Sequence, residues 1–272
     1  MKSLNVRSEK ISGAILKIGL LGLLSVALVP ATTNAAIVVV PGGNATVEGT
    51  PDGSASYYPF GGEGTPNTQR YQQIYNGASF GFTGPQLITQ IAFRPDASFG
   101  SAFSTTIPNI QINLSTSSRT ASTLSTTFAN NVGADDTVVF GSGTPSTASP
   151  LNLSSGFTAG PGNTKSFDII LSVQPFLYDP SQGSLLLDVR LYNSGFTSPV
   201  RYFDTQTSST DGIARVATGN AGNYLQAVGD VADTTGLVTQ FTFAPVPEPT
   251  TYGCIAGLGA LSFAGISLRR KK

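Results

Sequence analysis

Carboxylates, tyrosines, hydroxyls and a few amines are the only side chains in this sequence that could do chemistry. Histidine is absent and Cys254 is the one cysteine among 272 residues. Ser-His-Asp triads, Cys-His dyads and histidine-bearing zinc sites are therefore excluded. An intrachain disulfide is excluded too. Paired carboxylates could hydrolyse a glycosidic bond if they flanked a cleft. Between residues 36 and 244 the glutamates are Glu48 and Glu63, both in Gly-rich segments. Asp168 and Asp188 fall on strands predicted to be adjacent and could face each other. Each also sits opposite an apolar stripe, which equally describes a solvated face. A serine nucleophile with a lysine base would need Lys165, the sole lysine of this stretch, and no motif surrounds it. The reading is a non-enzyme with no catalytic residues.

Oxygen-only ligand sets favour Ca²⁺. Candidates are Asp230 with Asp233 in Gly229-Asp230-Val231-Ala232-Asp233, then Asp135-Asp136, Asp204 and Asp211. None has the spacing of a calcium loop, and loop aspartates commonly bond their own backbone. No cofactor is expected. Sugar binding would use flat aromatic faces beside polar groups. Tyr57, Tyr58 and Tyr202 are the leading candidates, with Phe60, Tyr192 and Tyr224 behind them. Tryptophan is absent. The plain alternative is a tyrosine packed at a strand end with its hydroxyl in water.

The elements that would carry these residues are short strands. Ile110, Ile112 and Leu114 alternate with polar neighbours, as do Phe167, Ile169, Leu171 and Val173, and Leu185, Leu187, Val189 and Leu191. Leu237, Thr239, Phe241 and Phe243 make a last alternating run. Weaker strands are expected at 37–40, 70–75, 87–93, 138–140, 200–203, 213–217 and 224–228. Asp179-Pro180-Ser181-Gln182-Gly183 reads as a hairpin loop. One short helix is expected over 122–131, capped by Ser122 and stopped by Gly133. About eleven strands predict an all-β fold, an antiparallel β-sandwich of jelly-roll type. A β-helix would need a fixed repeat, and there is none.

Residues 1–35 and 245–272 differ from this middle. Lys2, Arg7, Lys10 and Lys17 precede an apolar run from Ile18 to Val29, then Pro30 and Thr33-Asn34-Ala35. This is the pattern of a secretory signal helix cleaved after Ala35, which calls for export machinery and signal peptidase. At the other end, Val246-Pro247-Glu248-Pro249 precedes a 17-residue weakly apolar segment, 252–268, and Arg269-Arg270-Lys271-Lys272. As a helix that segment would span ~25 Å, the short end of a membrane crossing, with the basic cluster held on the cytoplasmic side. The prolines around Glu248 keep that strip extended, a shape a protease-like cleft can hold.

The triplet, apolar segment and basic end together resemble the PEP-CTERM sorting signal of exported bacterial proteins. The resemblance covers about a tenth of the chain. It implies recognition by an exosortase-like enzyme acting near Pro247–Thr251, transient membrane anchoring, and delivery to the cell surface or to an extracellular polysaccharide or biofilm matrix. No activity of the middle domain follows from it.

Net charge is zero over the whole sequence, but residues 36–244 hold seven basic and thirteen acidic groups, a net −6. An acidic, histidine-free domain lacks the basic face that nucleic acid binding needs. The reading is a non-catalytic exported protein of the surface or matrix. The alternatives are a polysaccharide-binding module and a carboxylate-dependent glycan hydrolase.

Overall fold

The computed structural model describes residues 35–50, 57–61, 68–142, 144–195, 200–219 and 223–246. The expected signal helix, apart from Ala35, and the expected membrane segment 252–268 lie outside these residues. Among the described residues no helix is long and apolar enough to cross a membrane.

The described chain is all-β and every strand pair is antiparallel. One sheet has four strands in the order β1 (Ala36–Val40), β14 (Thr239–Pro245), β3 (Gln86–Phe93) and β8 (Ile169–Tyr178). The other has six: β12 (Val231–Asp233), β11 (Ile213–Ala217), β2 (Gln69–Tyr75), β9 (Ser184–Asn193), β5 (Asn109–Ser117) and β6 (Thr137–Phe140). Two short ladders flank them, β4 (Phe103–Ile107) with β7 (Leu151–Ser155), and β10 (Thr205–Thr207) with β13 (Thr235–Leu237). Along the chain, β1, β3, β8 and β14 enter the first sheet, while β2, β5, β6, β9, β11 and β12 enter the second.

Period-2 patterning explains the layers. Phe241 and Phe243 of β14, Ile91 and Phe93 of β3, and Ile169, Leu171 and Val173 of β8 point one way. They meet Tyr71 and Tyr75 of β2, Leu185 to Leu191 at alternate positions of β9, and Ile110, Ile112 and Leu114 of β5 in one hydrophobic cluster. Each such side chain contributes roughly 1.5–3 kcal/mol by leaving water. Phe80, on a single 3-10 turn over Gly77–Phe80, closes one part of the cluster. Its ring meets those of Tyr178, Phe241 and Phe243 edge-on at 5.1, 5.5 and 5.9 Å.

Several expectations are corrected. No α-helix forms over 122–131; 3-10 turns at Ala121–Thr123 and Phe128–Asn131 stand there instead. Thr120, not Ser122, caps the first, its amide donating to Thr123 Oγ1 at 2.9 Å. Hydroxyls and amides compete with helix bonds locally: Thr127 N–H donates to Ser125 Oγ, and Ser125 N–H to Asn131 Oδ1. The 179–183 turn does not close a hairpin, because β8 pairs with β3 while β9 pairs with β2 and β5. It is an arch from one sheet to the other. For the same reason Asp168 and Asp188 are not on adjacent strands. Residues 200–203 form no strand beyond a single bridge from Phe203 to Pro95, and 224–228 form a turn with one bridge from Val228 to Thr127.

Candidate functional site

The outer face of the six-stranded sheet carries the most concentrated polar chemistry. Strand register puts Arg70 of β2 opposite Arg190 of β9, and Gln72 opposite Asp188. On the far side of β9, Gln111 of β5 faces Arg190 and Asn113 faces Asp188. Two arginines directly opposite each other repel. Asp188 resolves this. Its Oδ1 accepts from Arg70 Nε at 3.1 Å, and its Oδ2 from Arg70 Nη2 at 2.5 Å, Gln72 Nε2 at 3.1 Å and Arg190 Nη2 at 3.3 Å. The Asp188 side chain is 2% exposed, against 27% for Arg190. The solvated face expected for Asp188 is thus a covered one.

The cover is the segment around 118–134. Leu124 and Val132 pack on Ile74, Leu186 and Ala214, a second small apolar cluster. The Phe128 ring lies 4.8 Å from the Arg70 guanidinium carbon. Asn131 Nδ2 donates to Gln72 Oε1 at 2.9 Å. Beyond this cover a hollow of about 450 Å³ opens, within the size range of small-molecule sites. Arg70, Arg190, Tyr192, Tyr224, Gln226 and Pro145 are among its walls, and no wall residue is a carboxylate. The Tyr192 and Tyr224 rings meet edge to face, 4.8 Å apart at 83°. Tyr192 donates its hydroxyl proton to Gln111 Oε1 at 2.6 Å, and Gln111 Nε2 donates to Asn113 Oδ1 at 2.6 Å. This chain fixes the Tyr192 ring from below. Burial raises the Tyr192 hydroxyl pKa, against the pull of Arg190. Burial works against the charge on Arg190, but attraction to Asp188 outweighs it and the pKa is raised. The hollow thus presents two fixed cations sharing one carboxylate, two tyrosines and an amide.

A second polar centre is structural. Arg94, fully buried, donates through Nε to Asp204 Oδ2 at 2.6 Å and through Nη2 to the carbonyls of Asn44 and Val47, both at 2.8 Å. Asp204 Oδ1 accepts from Gly49 N–H at 2.8 Å. An added Cβ at Gly49 would lie 2.1 Å from Thr205 O, so only glycine fits this approach. Burial raises Asp204 to about 6 despite Arg94, and Glu48 to about 7.

The residues singled out from sequence are dispersed. Tyr57 and Tyr58 stack on each other at 4.7 Å, and Tyr58 is 6% exposed with the Arg215 guanidinium 5.4 Å from its ring. Tyr202 packs edge-on against Phe99, 6.1 Å away. The structure does not bring these three together as one aromatic platform. Asp233 accepts from Arg215 at 2.9 and 3.1 Å, and Asp230 from Gly219 N–H at 3.1 Å. Asp135 caps Thr116 N–H, Asp136 holds Asn113, Asp211 binds Ile213 N–H and Asp168 binds Gly156 N–H. Among the described residues no three carboxylates gather as a metal site. Lys165 Nζ lies 3.9 Å from the Phe157 ring centre. Glu63 lies outside the described residues.

Sequence reasoning missed Arg70, Arg190 and Gln226, and did not pair Tyr192 with Tyr224. The available signal was the outward half of the β9 alternation, Asp188-x-Arg190-x-Tyr192.

At the other functional feature, β14 runs to Pro245 and the half-exposed Val246 follows it. Pro247, Glu248, Pro249 and the basic residues Arg269, Arg270, Lys271 and Lys272 lie outside the described residues. No curated protein matches this chain. Residues 245–271 match the family model described as the PEP-CTERM protein-sorting motif. The chain therefore carries a PEP-CTERM sorting motif that begins where its last described strand ends, and it is an exported protein sorted through an exosortase-like enzyme.

Proposed function

We propose that this is a non-catalytic protein of the cell surface or extracellular matrix, delivered there as a folded β domain and associated with extracellular polysaccharide. The domain is a jelly roll in this reading. Pairing β1-β14-β3-β8 against β2-β9-β5-β6 is the order that two interleaved Greek keys produce, with β11 and β12 extending the second sheet. One observation carries the functional reading: the motif match begins at residue 245, where β14 ends. The matched segment begins on the last residue of β14, with no linker between them. In this reading signal peptidase cuts after Ala35, segment 252–268 holds the chain at the membrane with Arg269–Lys272 on the cytoplasmic side, and processing near Pro247–Thr251 releases the domain.

Mass spectrometry of the exported protein tests this. The expected termini are Ala36 and a residue within Pro247–Thr251. A mature product retaining Lys272 would overturn the processing step, and a product confined to the membrane fraction would overturn the delivery step. What supports a polysaccharide-binding role over a purely structural one is the hollow beside Tyr192, whose walls combine two tyrosines with two arginines and an amide.

A further inference from the structure

We propose that the hollow between β2, β9 and the 223–228 turn binds a carboxylate-bearing sugar ring, the uronate unit of an acidic polysaccharide. The inference rests on the surface and matrix reading and names its ligand class.

The charge arithmetic selects a monoanion. Arg70 and Arg190 share Asp188, whose two oxygens already accept four hydrogen bonds. One guanidinium charge is left without a dedicated partner. Asp136 also acts on Arg190, but it is exposed and held by Asn113, so water screens it. No carboxylate lines the hollow to complete the pair. The Arg190 side chain as a whole is 27% exposed and lines the hollow, so the solvent-facing part of its guanidinium can meet an acceptor there. A phosphate dianion would leave one negative charge unmatched beside Asp188. A carboxylate matches.

The walls select a ring with hydroxyls. Tyr192 is fixed by Gln111 and Tyr224 stands edge-on to it, so the two rings form an angled corner rather than a flat stacking floor. Such a corner offers one apolar ring face and two phenolic oxygens to a single sugar unit. Gln226, whose Oε1 accepts from Asn223 N–H at 2.8 Å, adds an amide whose Nε2 can donate to hydroxyls. An unadorned neutral sugar could use the tyrosines and accept from the guanidinium through a hydroxyl, but would supply no counter-charge and so make the weaker bond. The domain's net −6 makes diffuse attraction to a polyanion unfavourable, so retention on one would come from a local site.

The test uses the exported protein and three probes: polygalacturonate oligomers, dextran oligomers and inorganic sulfate, followed by titration calorimetry. The expected result is saturable binding of polygalacturonate, with dextran and sulfate each at least about tenfold weaker, as loss of one charge-assisted hydrogen bond or of the ring contacts implies. Arg190→Gln and Tyr224→Ala should each weaken polygalacturonate about tenfold or more, while Tyr202→Ala leaves it unchanged. Tyr224 sits on a surface turn, so its variant stays interpretable if Arg190→Gln fails to fold. Equal binding of dextran, sulfate binding as tight as polygalacturonate, or indifference to Tyr224→Ala would each overturn the proposal. If the processed protein reaches the matrix yet ignores polygalacturonate, this inference fails and the delivery reading stands. If it binds polygalacturonate but never leaves the membrane, the reverse holds.

Discussion

Glu48 shows how much a single side chain can hide from sequence. It lies in a Gly-rich stretch and looks like a solvated loop acid. In the fold its Oε1 accepts Ala97 N–H at 2.7 Å, while Oε2 is buried with no partner. Burial raises its pKa to about 7, with Asp204 and Asp96 adding to the shift and Arg94 opposing it. Unfolded, the group titrates near 4.5. The folded state therefore binds the extra proton between those values, so this group's contribution is fully present below pH 4.5 and falls as pH rises to about 7. Glu48 is partly solvated, and with screening the loss is of order 1 kcal/mol. Urea midpoints measured from pH 4.5 to 8 should decline, and Glu48→Gln should flatten that decline. A residual slope of the same sign will remain from Asp204, raised to about 6. An unaltered profile in the Gln variant would sink this account. The partners that set this behaviour are roughly 50 and 156 positions away in sequence, so no local pattern could reveal them. Arg190 escaped notice likewise: alternation places it on the outward side of β9 but not against Arg70, Asp188 and Tyr224.

At the scale of elements, alternation was a good guide wherever apolar residues were large. β2, β3, β5, β9 and β11 stand within a residue or two of where the pattern places them. β4 and β7 escaped because Phe103-Ser-Thr-Thr-Ile and Leu151-Asn-Leu-Ser-Ser carry few apolar side chains. The 179–183 turn was misread for a different reason. Asp179 Oδ1 accepts from the Ser181 amide at 3.0 Å and its hydroxyl at 2.7 Å, and the Gln182 amide donates to Asp179 O. The same local bonds serve a hairpin or an arch between sheets, and only the flanking strands' partners distinguish them. The edge strand β1 gives an element-scale prediction. It pairs with β14 alone, over all five residues, and buries Val40 completely. Removing residues 36–40 should cost about 2–4 kcal/mol, through the lost Val40 and Val38 burial and the opened β14 edge. Ile37→Thr, at a side chain 62% exposed, should fall within about ±0.5 kcal/mol. Denaturant midpoints for the pair of variants check it, and equal midpoints would show that β1 is ornamental.

For the whole molecule, the arrangement of β1 and β14 decides what processing can do. Ala36 pairs with Phe243, so the chain enters and leaves the domain at the same end of one sheet. Phe241 and Phe243 are fully buried, the first 5.0 Å from Tyr75 and the second 4.9 Å from Phe82. Val246, the last described residue, is exposed and stands outside the core cluster. A chain ending at Pro249 keeps every described core residue and should melt within about 1 °C of one retaining residues 250–272. One ending at Gln240 should not fold, having lost two buried aromatics worth about 3–5 kcal/mol each. Calorimetry of the three forms, the longest held in detergent, makes the comparison. If ending at Pro249 lowered the midpoint by several degrees, the tail would be a structural part of the domain. Equal midpoints would mean that cutting near the Pro-Glu-Pro strip changes where the domain is held and leaves its fold alone. The zero net charge of the full sequence has the same division. Eight cations lie in the two end segments that the proposed processing removes, while residues 36–244 carry −6 and hold Arg70 and Arg94 in ion pairs with Asp188 and Asp204.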